Sequence, residues 1–196
     1  MHSAILALSL LTTLVSALRG SKPASATQAQ TRSAQTCGDP ADAVPFYSLF
    51  NSATVDYYYT ADAGLVDTVF PAPSGYALQG VAGLVFVTQE ESTVPFYRLH
   101  QLLANSVNNN FFTTNTTERD LAIQQGFSLT PTDPLTFIYP TEICGAVPFY
   151  RVFNPGAQAN FYTTSESRRL DFIANQGYED LGIAGYILPL VATQCI

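Results

Sequence analysis

The chain is 196 residues long, with a formal net charge of −7, 12% aromatic residues and no tryptophan. Arg19, Lys22 and Arg32 are its only basic residues before the last 160 or so, where five arginines and no lysine face all fifteen carboxylates, a net of −10. Such a field repels phosphate backbones and anionic lipid, which argues against a nucleic acid or a polybasic membrane contact as partner.

Ile5 to Val15 is an apolar run of the length of a signal-peptide core, and Val15-Ser16-Ala17 supplies the small residues that signal peptidase accepts. Residues 1–17 are therefore expected to be removed after Ala17, giving a secreted, extracellular protein. The run falls short of the roughly 20 residues that a membrane span requires, so no membrane insertion is expected. Residues 18–36, rich in Ser, Ala, Thr and Gln, have no apolar period and read as a disordered lead-in or a propeptide.

Residues 37–196 are expected to form a single domain, long enough to bury a core. Val-Pro-Phe-Tyr begins at Val44, Val94 and Val147, and each occurrence opens a segment of about 50 residues with matching landmarks. The copies run over about 44–93, 94–146 and 147–196. A unit this small cannot cover its own apolar face, so the three must pack on one another.

Each copy yields the same order of elements. Runs such as Phe149-Tyr150-Arg151-Val152 and Phe161-Tyr162-Thr163-Thr164 are aromatic and β-branched between Asn, Pro and Gly, the pattern of short strands, with proline at the strand entrance. Between Thr164 and Gly177, a cap at Ser165 or Thr164, Glu166 in the first turn and Leu170, Ile173 and Ala174 at 3- and 4-residue spacing predict a short helix. Copy two repeats it with Asn115 or Thr116 as cap. Copy one carries Gly64, Pro71 and Pro73 there, so its helix should be shortened or broken. Gly-Tyr and Gly-x-Ala-Gly-aromatic blocks then predict two more strands. Copy two is degenerate at this end, with Leu135 to Tyr139 in place of the last block. The predicted fold class is α+β, β-rich: three ββαββ repeats in one closed pseudo-threefold domain, with a β-trefoil-like arrangement as the alternative.

These blocks resemble a family of secreted repeats of unknown function from basidiomycete fungi and Gram-positive bacteria, with the pattern V-P-L-Y-R-L-Y-N, H-F-Y-T-T, E-R-D and G-Y-x-x-E-G-I-A-G-Y. Val147 to Asn154, Phe161 to Thr164, Gly177 to Tyr186 and Glu118-Arg119-Asp120 carry the match. The resemblance implies an extracellular, non-catalytic module attached to cell-wall glycan. The family's histidine before the second aromatic strand is replaced here by Tyr57, Asn110 and Asn160.

Cys37, Cys144 and Cys195 survive signal cleavage, and in a secreted chain an odd count means one bridge with a spare thiol, or an intermolecular bond. A ring of repeats would bring its ends together, which favours Cys37 with Cys195; pairings with Cys144 remain open. Asn115-Thr116-Thr117 is the one N-glycosylation sequon, at the mouth of the second helix, where Asn115 could instead act as a cap.

His100 is the only histidine beyond His2, and copies one and three place Phe50 and Phe153 at its position. No His/Cys/carboxylate cluster has ligand spacing, so neither a metal nor a cofactor is expected. The adjacent pairs Glu90-Glu91 and Glu179-Asp180 read as solvated turn residues, and the chain is not expected to be an enzyme. Two functions of different class remain. One is a lectin-like module for extracellular or cell-wall glycan, contacting it through Tyr47, Asn51, Tyr97, Arg98, Tyr150, Arg151 and Asn154. The other is a secreted protein-binding effector, such as a protease inhibitor or adhesive surface protein, working through loops that differ between copies.

Overall fold

The computed structural model describes residues 36–68, 74–103, 108–130 and 135–190. The expected signal segment, nearly all of the lead-in and Cys195 lie outside them. The described residues belong to one unit, mostly β-sheet with three short α-helices and a 3-10 turn at Pro40–Asp42.

Each Val-Pro-Phe-Tyr opens the central strand of a sheet: β1 (Val44–Asn51), β4 (Val94–Leu102) and β8 (Val147–Asn154). The Tyr/Phe/Thr runs form their antiparallel hairpin partners β2 (Asp56–Thr60), β5 (Asn108–Thr113) and β9 (Ala159–Thr163). Three helices follow: α1 (Ala63–Thr68), α2 (Thr116–Gln124) and α3 (Glu166–Asn175). The Asn115 side chain accepts from the Thr117 and Glu118 amides at 2.9 and 3.2 Å. Ser165 Oγ accepts from the Arg168 amide at 3.3 Å. Both satisfy donors that a first helical turn leaves unpaired. Among the described residues α1 covers 6 residues, against 9 and 10 for the other two; Pro71 and Pro73, which are expected to shorten it, lie outside them.

The remainder of each unit corrects the ββαββ expectation. In copies one and three both blocks lie in a single long strand, β3 (Tyr76–Val85) and β10 (Glu179–Ile187), so these units are ββαβ. Irregularities in register between Ser48 and Leu49, and between Asp180 and Ile183, let each stay paired along its whole central strand. Gly80 (φ 137°) and Gly182 (φ 83°) supply backbone conformations that other residues resist. Only copy two keeps two strands, β6 (Ser128–Leu129) and β7 (Thr136–Ile138), both on β4.

The sheets are ordered β2-β1-β3, β5-β4-β6 with β7 also on β4, and β10-β8-β9. None closes into a barrel among the described residues, in contrast to the trefoil-like alternative. Bridges Leu84–Leu188, Phe86–Phe137 and Tyr139–Tyr186 link them. Nine buried residues form the main core, three from each sheet: Phe46, Tyr59 and Val85; Phe96, Phe112 and Ile138; Phe149, Tyr162 and Ile187. The central-strand phenylalanines stand in mutual contact, with ring centroids 6.2 to 6.4 Å apart. Hydroxyls tie the layer to neighbouring backbone. Tyr59 Oη donates to the Tyr162 carbonyl and accepts from its amide, both at 2.9 Å. Tyr162 Oη does the same for Phe112, at 2.9 and 2.7 Å.

The close sheet contacts depend on two glycines. A Cβ on Gly83 would lie 2.4 Å from Ile187 Cδ1, and one on Gly185 would lie 2.4 Å from Ile138 Cδ1. These glycines therefore admit the neighbouring sheet, a role beyond the bulge that their spacing suggests.

The disulfide also differs from expectation. Cys37 bonds to Cys144, not to Cys195. Cys144 lies in the link between copies two and three, beside the cluster of Phe86, Phe137, Tyr139, Ala146 and Leu188. The Gly38 amide donates to Tyr139 Oη at 3.1 Å and brings the residues next to Cys37 to the same cluster. The bridge thus ties the entrance of copy one to the end of copy two.

Candidate functional site

The seven residues singled out in sequence belong to three separate sheets and do not converge on one pocket. Asn51 and Asn154 are occupied within the fold. Asn51 Oδ1 accepts from the Ala53 and Thr54 amides and its Nδ2 donates to the Ser74 carbonyl. Asn154 does likewise with Gly156, Ala157 and the Gln176 carbonyl. Each thereby closes its hairpin turn and ties it to the residue before Gly75 or Gly177. In copy two Gln101 donates to the Gln125 carbonyl at 3.2 Å, a counterpart that its different residue type conceals in sequence.

Tyr47, Tyr97 and Tyr150 are half-buried. Tyr47 packs in the cluster that includes Val66. Arg119 lies over the Tyr97 ring at 4.5 Å, and Arg169 over Tyr150 at 5.0 Å. Tyr150 Oη donates to Glu166 at 2.7 Å; that bond to a carboxylate raises its pKa.

Arg98 and Arg151 reach across to the preceding copy, and each builds a polar junction. Arg98 donates to Asn110 Oδ1 within its own hairpin and to Tyr58 Oη of copy one, both at 2.9 Å, with its guanidinium 4.2 Å from the Tyr58 ring centroid. Asn110 Nδ2 donates onward to the Asp56 carboxylate at 3.2 Å, and the Tyr76 hydroxyl also donates to it. Burial raises the pKa of Asp56, while these donors and Arg98 pull it down. At the next junction Arg151 donates to Asn160 Oδ1 at 2.9 Å and to Glu118 Oε1 at 2.6 Å, and lies over Phe111 at 4.5 Å. Asn160 Nδ2 donates to Asn109 Oδ1 at 3.1 Å. Asn110 and Asn160, which replace the family's histidine, are thus the acceptors for the strand arginines.

Beside Arg151 opens a cleft of about 740 Å³ between α2 and the β8–β9 hairpin. Phe111, Phe127 and Phe153 give it apolar faces, while Arg151, Glu118, Asn109, Asn160, Gln125 and Gln158 contribute planar polar groups. This combination was visible in sequence only through Arg151. Asn115 stands exposed at its rim. Its cap uses Oδ1, whereas an N-linked glycan attaches through Nδ2, so capping and modification do not compete for one atom.

The position of His100 is equally plain: its Nε2 lies 3.1 Å from Asn108 Oδ1. Asp180 pairs with Arg169. No group of three His, Cys, Asp or Glu is placed to hold a metal among the described residues, nor is any helix among them long and apolar enough to cross a membrane.

The profile described as a domain of unknown function, DUF5648, matches residues 24–132 and again 104–188. The chain belongs to the DUF5648 family. The first DUF5648 match takes in the Val-Pro-Phe-Tyr of copies one and two, and the second takes in that of copy three. Their overlap falls within copy two. No curated protein and no solved structure matches the chain.

Proposed function

We propose that this DUF5648 protein is a secreted, non-catalytic module that binds an extracellular or cell-wall glycan. The observation that carries the reading is the cleft beside Arg151. Sugars present apolar C–H faces between fixed hydroxyls, and a site for them needs aromatic surface next to planar hydrogen-bonding groups; the half-buried rings of Phe127 and Phe153 beside the exposed Gln125 side chain meet that need. Tyr47, Tyr97 and Tyr150 add one polar-tipped aromatic per copy, and several weak contacts would gain avidity on a polymer. The Asn115 amide nitrogen is the proposed glycan acceptor.

The same reading includes a closed pseudo-threefold arrangement of the copies. The equal contribution of each sheet to the nine-residue core supports it.

Retention on chitin, β-glucan and peptidoglycan tests the function. Phe153→Leu keeps apolar volume but removes a ring face, and should weaken retention per folded molecule by about fivefold or more. Unchanged retention would move the site away from the cleft. Failure to retain any of the three polymers would favour the protein-binding alternative.

A further inference from the structure

The third junction, between copies three and one, is built differently. In the first two, a strand arginine lies over the aromatic residue of the preceding copy: Arg98 over Tyr58 and Arg151 over Phe111. Copy one has Ser48 at that strand position. The guanidinium is supplied instead by Arg168, from α3 of copy three itself, 4.9 Å from the Phe161 ring centroid. Arg168 stands where copy two has Glu118, the residue that neutralises Arg151. Both members of the ion pair are therefore exchanged: serine for arginine, and arginine for glutamate.

The other acceptors are also missing. Ala159 occupies the position of Asp56 and Asn109, and Tyr57 that of Asn110 and Asn160. Among the described residues Arg168 has no carboxylate within 4 Å and no side-chain hydrogen bond; its guanidinium lies over the rings of Phe161 and Phe172, near the Tyr57 hydroxyl, on which its charge acts to lower the pKa. It is exposed at the edge of a groove of about 190 Å³ that is lined also by the half-buried Thr164 and Ser165 and, beneath them, by the buried Ser48 and Thr163, and no Asp or Glu lines it. An unpaired guanidinium on an aromatic face among hydroxyls, within an acidic protein, is a receptor for a carboxylate whose carrier offers hydroxyls.

We propose that this groove binds the carboxylate of an acidic sugar, a uronic acid unit of a polysaccharide. The proposal rests on the glycan reading only for the sugar as carrier of the acid, and it concerns a groove distinct from the Arg151 cleft.

The test is calorimetric titration of the whole mature protein with a galacturonic acid oligomer, a neutral glucose oligomer of equal length, and acetate. The acidic oligomer should bind more tightly than the neutral one, and Arg168→Gln should weaken it by about tenfold or more without affecting neutral binding. Ser48→Arg with Arg168→Glu writes the Arg151–Glu118 pair into the groove; this variant should fold with an undiminished melting temperature and lose the acid. Equal acid binding by wild type and Arg168→Gln overturns the proposal, as does equal affinity for acidic and neutral oligomers. Acetate binding as tightly as the oligomer would overturn the sugar and leave a free acid as the ligand. Phe153→Leu should spare acid binding, so the two sites fail or succeed separately.

Discussion

Replacing Arg151 with alanine is the sharpest test of how the second junction is held together. The side chain is buried, with 9% of its surface exposed, and the change deletes two hydrogen bonds and a guanidinium–ring contact. A hydrogen bond to a charged group contributes about 1.5–3 kcal/mol, and a desolvated cation–π contact about 2. Removing one partner of a fully buried pair costs about 3–5 kcal/mol. Glu118, however, keeps 40% of its side chain in water and can rehydrate, while Asn160 cannot; the sum must be discounted to about 2–3 kcal/mol. For a domain of this size that lowers the melting temperature by about 5–10 °C. Thermal and urea melts at pH 7 would measure it, with Glu118→Gln as control: that variant keeps an acceptor for Arg151 and should lose under about 1 kcal/mol. A melting temperature for Arg151→Ala within about 1 °C of wild type would refute the claim that this arginine cements the junction.

The tyrosine layer predicts alkaline sensitivity. Burial pushes the Tyr162 hydroxyl up to about 12 and raises that of Tyr59 as well. An unfolded tyrosine ionises near pH 10, so their contribution is complete below about pH 10 and lost as pH rises through about 12; urea midpoints should fall over that window. Tyr162→Phe should cost about 1–3 kcal/mol at pH 8, by stranding the buried Phe112 amide and carbonyl, and should flatten the alkaline decline. If Tyr162→Phe melts like wild type, those bonds contribute nothing net. Gly185→Ala should cost about 1–3 kcal/mol through the Ile138 clash, and Ile138→Val should relieve part of that cost in the double variant. Additive losses would place the strain elsewhere. Non-reducing peptide mapping should recover a Cys37–Cys144 peptide, and Cys144→Ala should destabilise by up to about 4–5 kcal/mol, since the bridge spans 107 residues; a Cys37–Cys195 peptide would overturn that pairing.

What the amino-acid sequence determined here is mostly local. Val-Pro-Phe-Tyr and the Tyr/Phe/Thr runs announce strands because β-branched and aromatic side chains, with proline at the entrance, satisfy a pleated backbone wherever they occur. Asn115 and Ser165 announce helix starts because a cap acts within three residues. Long-range pairing was decided only by tertiary structure. Whether two glycine-punctuated blocks make one bulged strand or two depends on the register that the central strand offers, and that register is set across the sheet. Cys144 rather than Cys195 meets Cys37 because Tyr139 and its neighbours draw the entrance of copy one toward the link between copies two and three. Asn51 and Asn154 looked like ligand groups because a repeated planar amide suits both a sugar and a backbone carbonyl; only the fold places the Ser74 and Gln176 carbonyls within their reach. The polar junctions were hidden for a related reason. Arg98 and Arg151 sit in like positions of their copies, but the ring and the cross-copy acceptor that each meets belong to the preceding copy, so they change from Tyr58 to Phe111 and Glu118. At the third junction, the exchange of Ser48 for arginine and Arg168 for glutamate acquires meaning only when residues 120 positions apart line one groove.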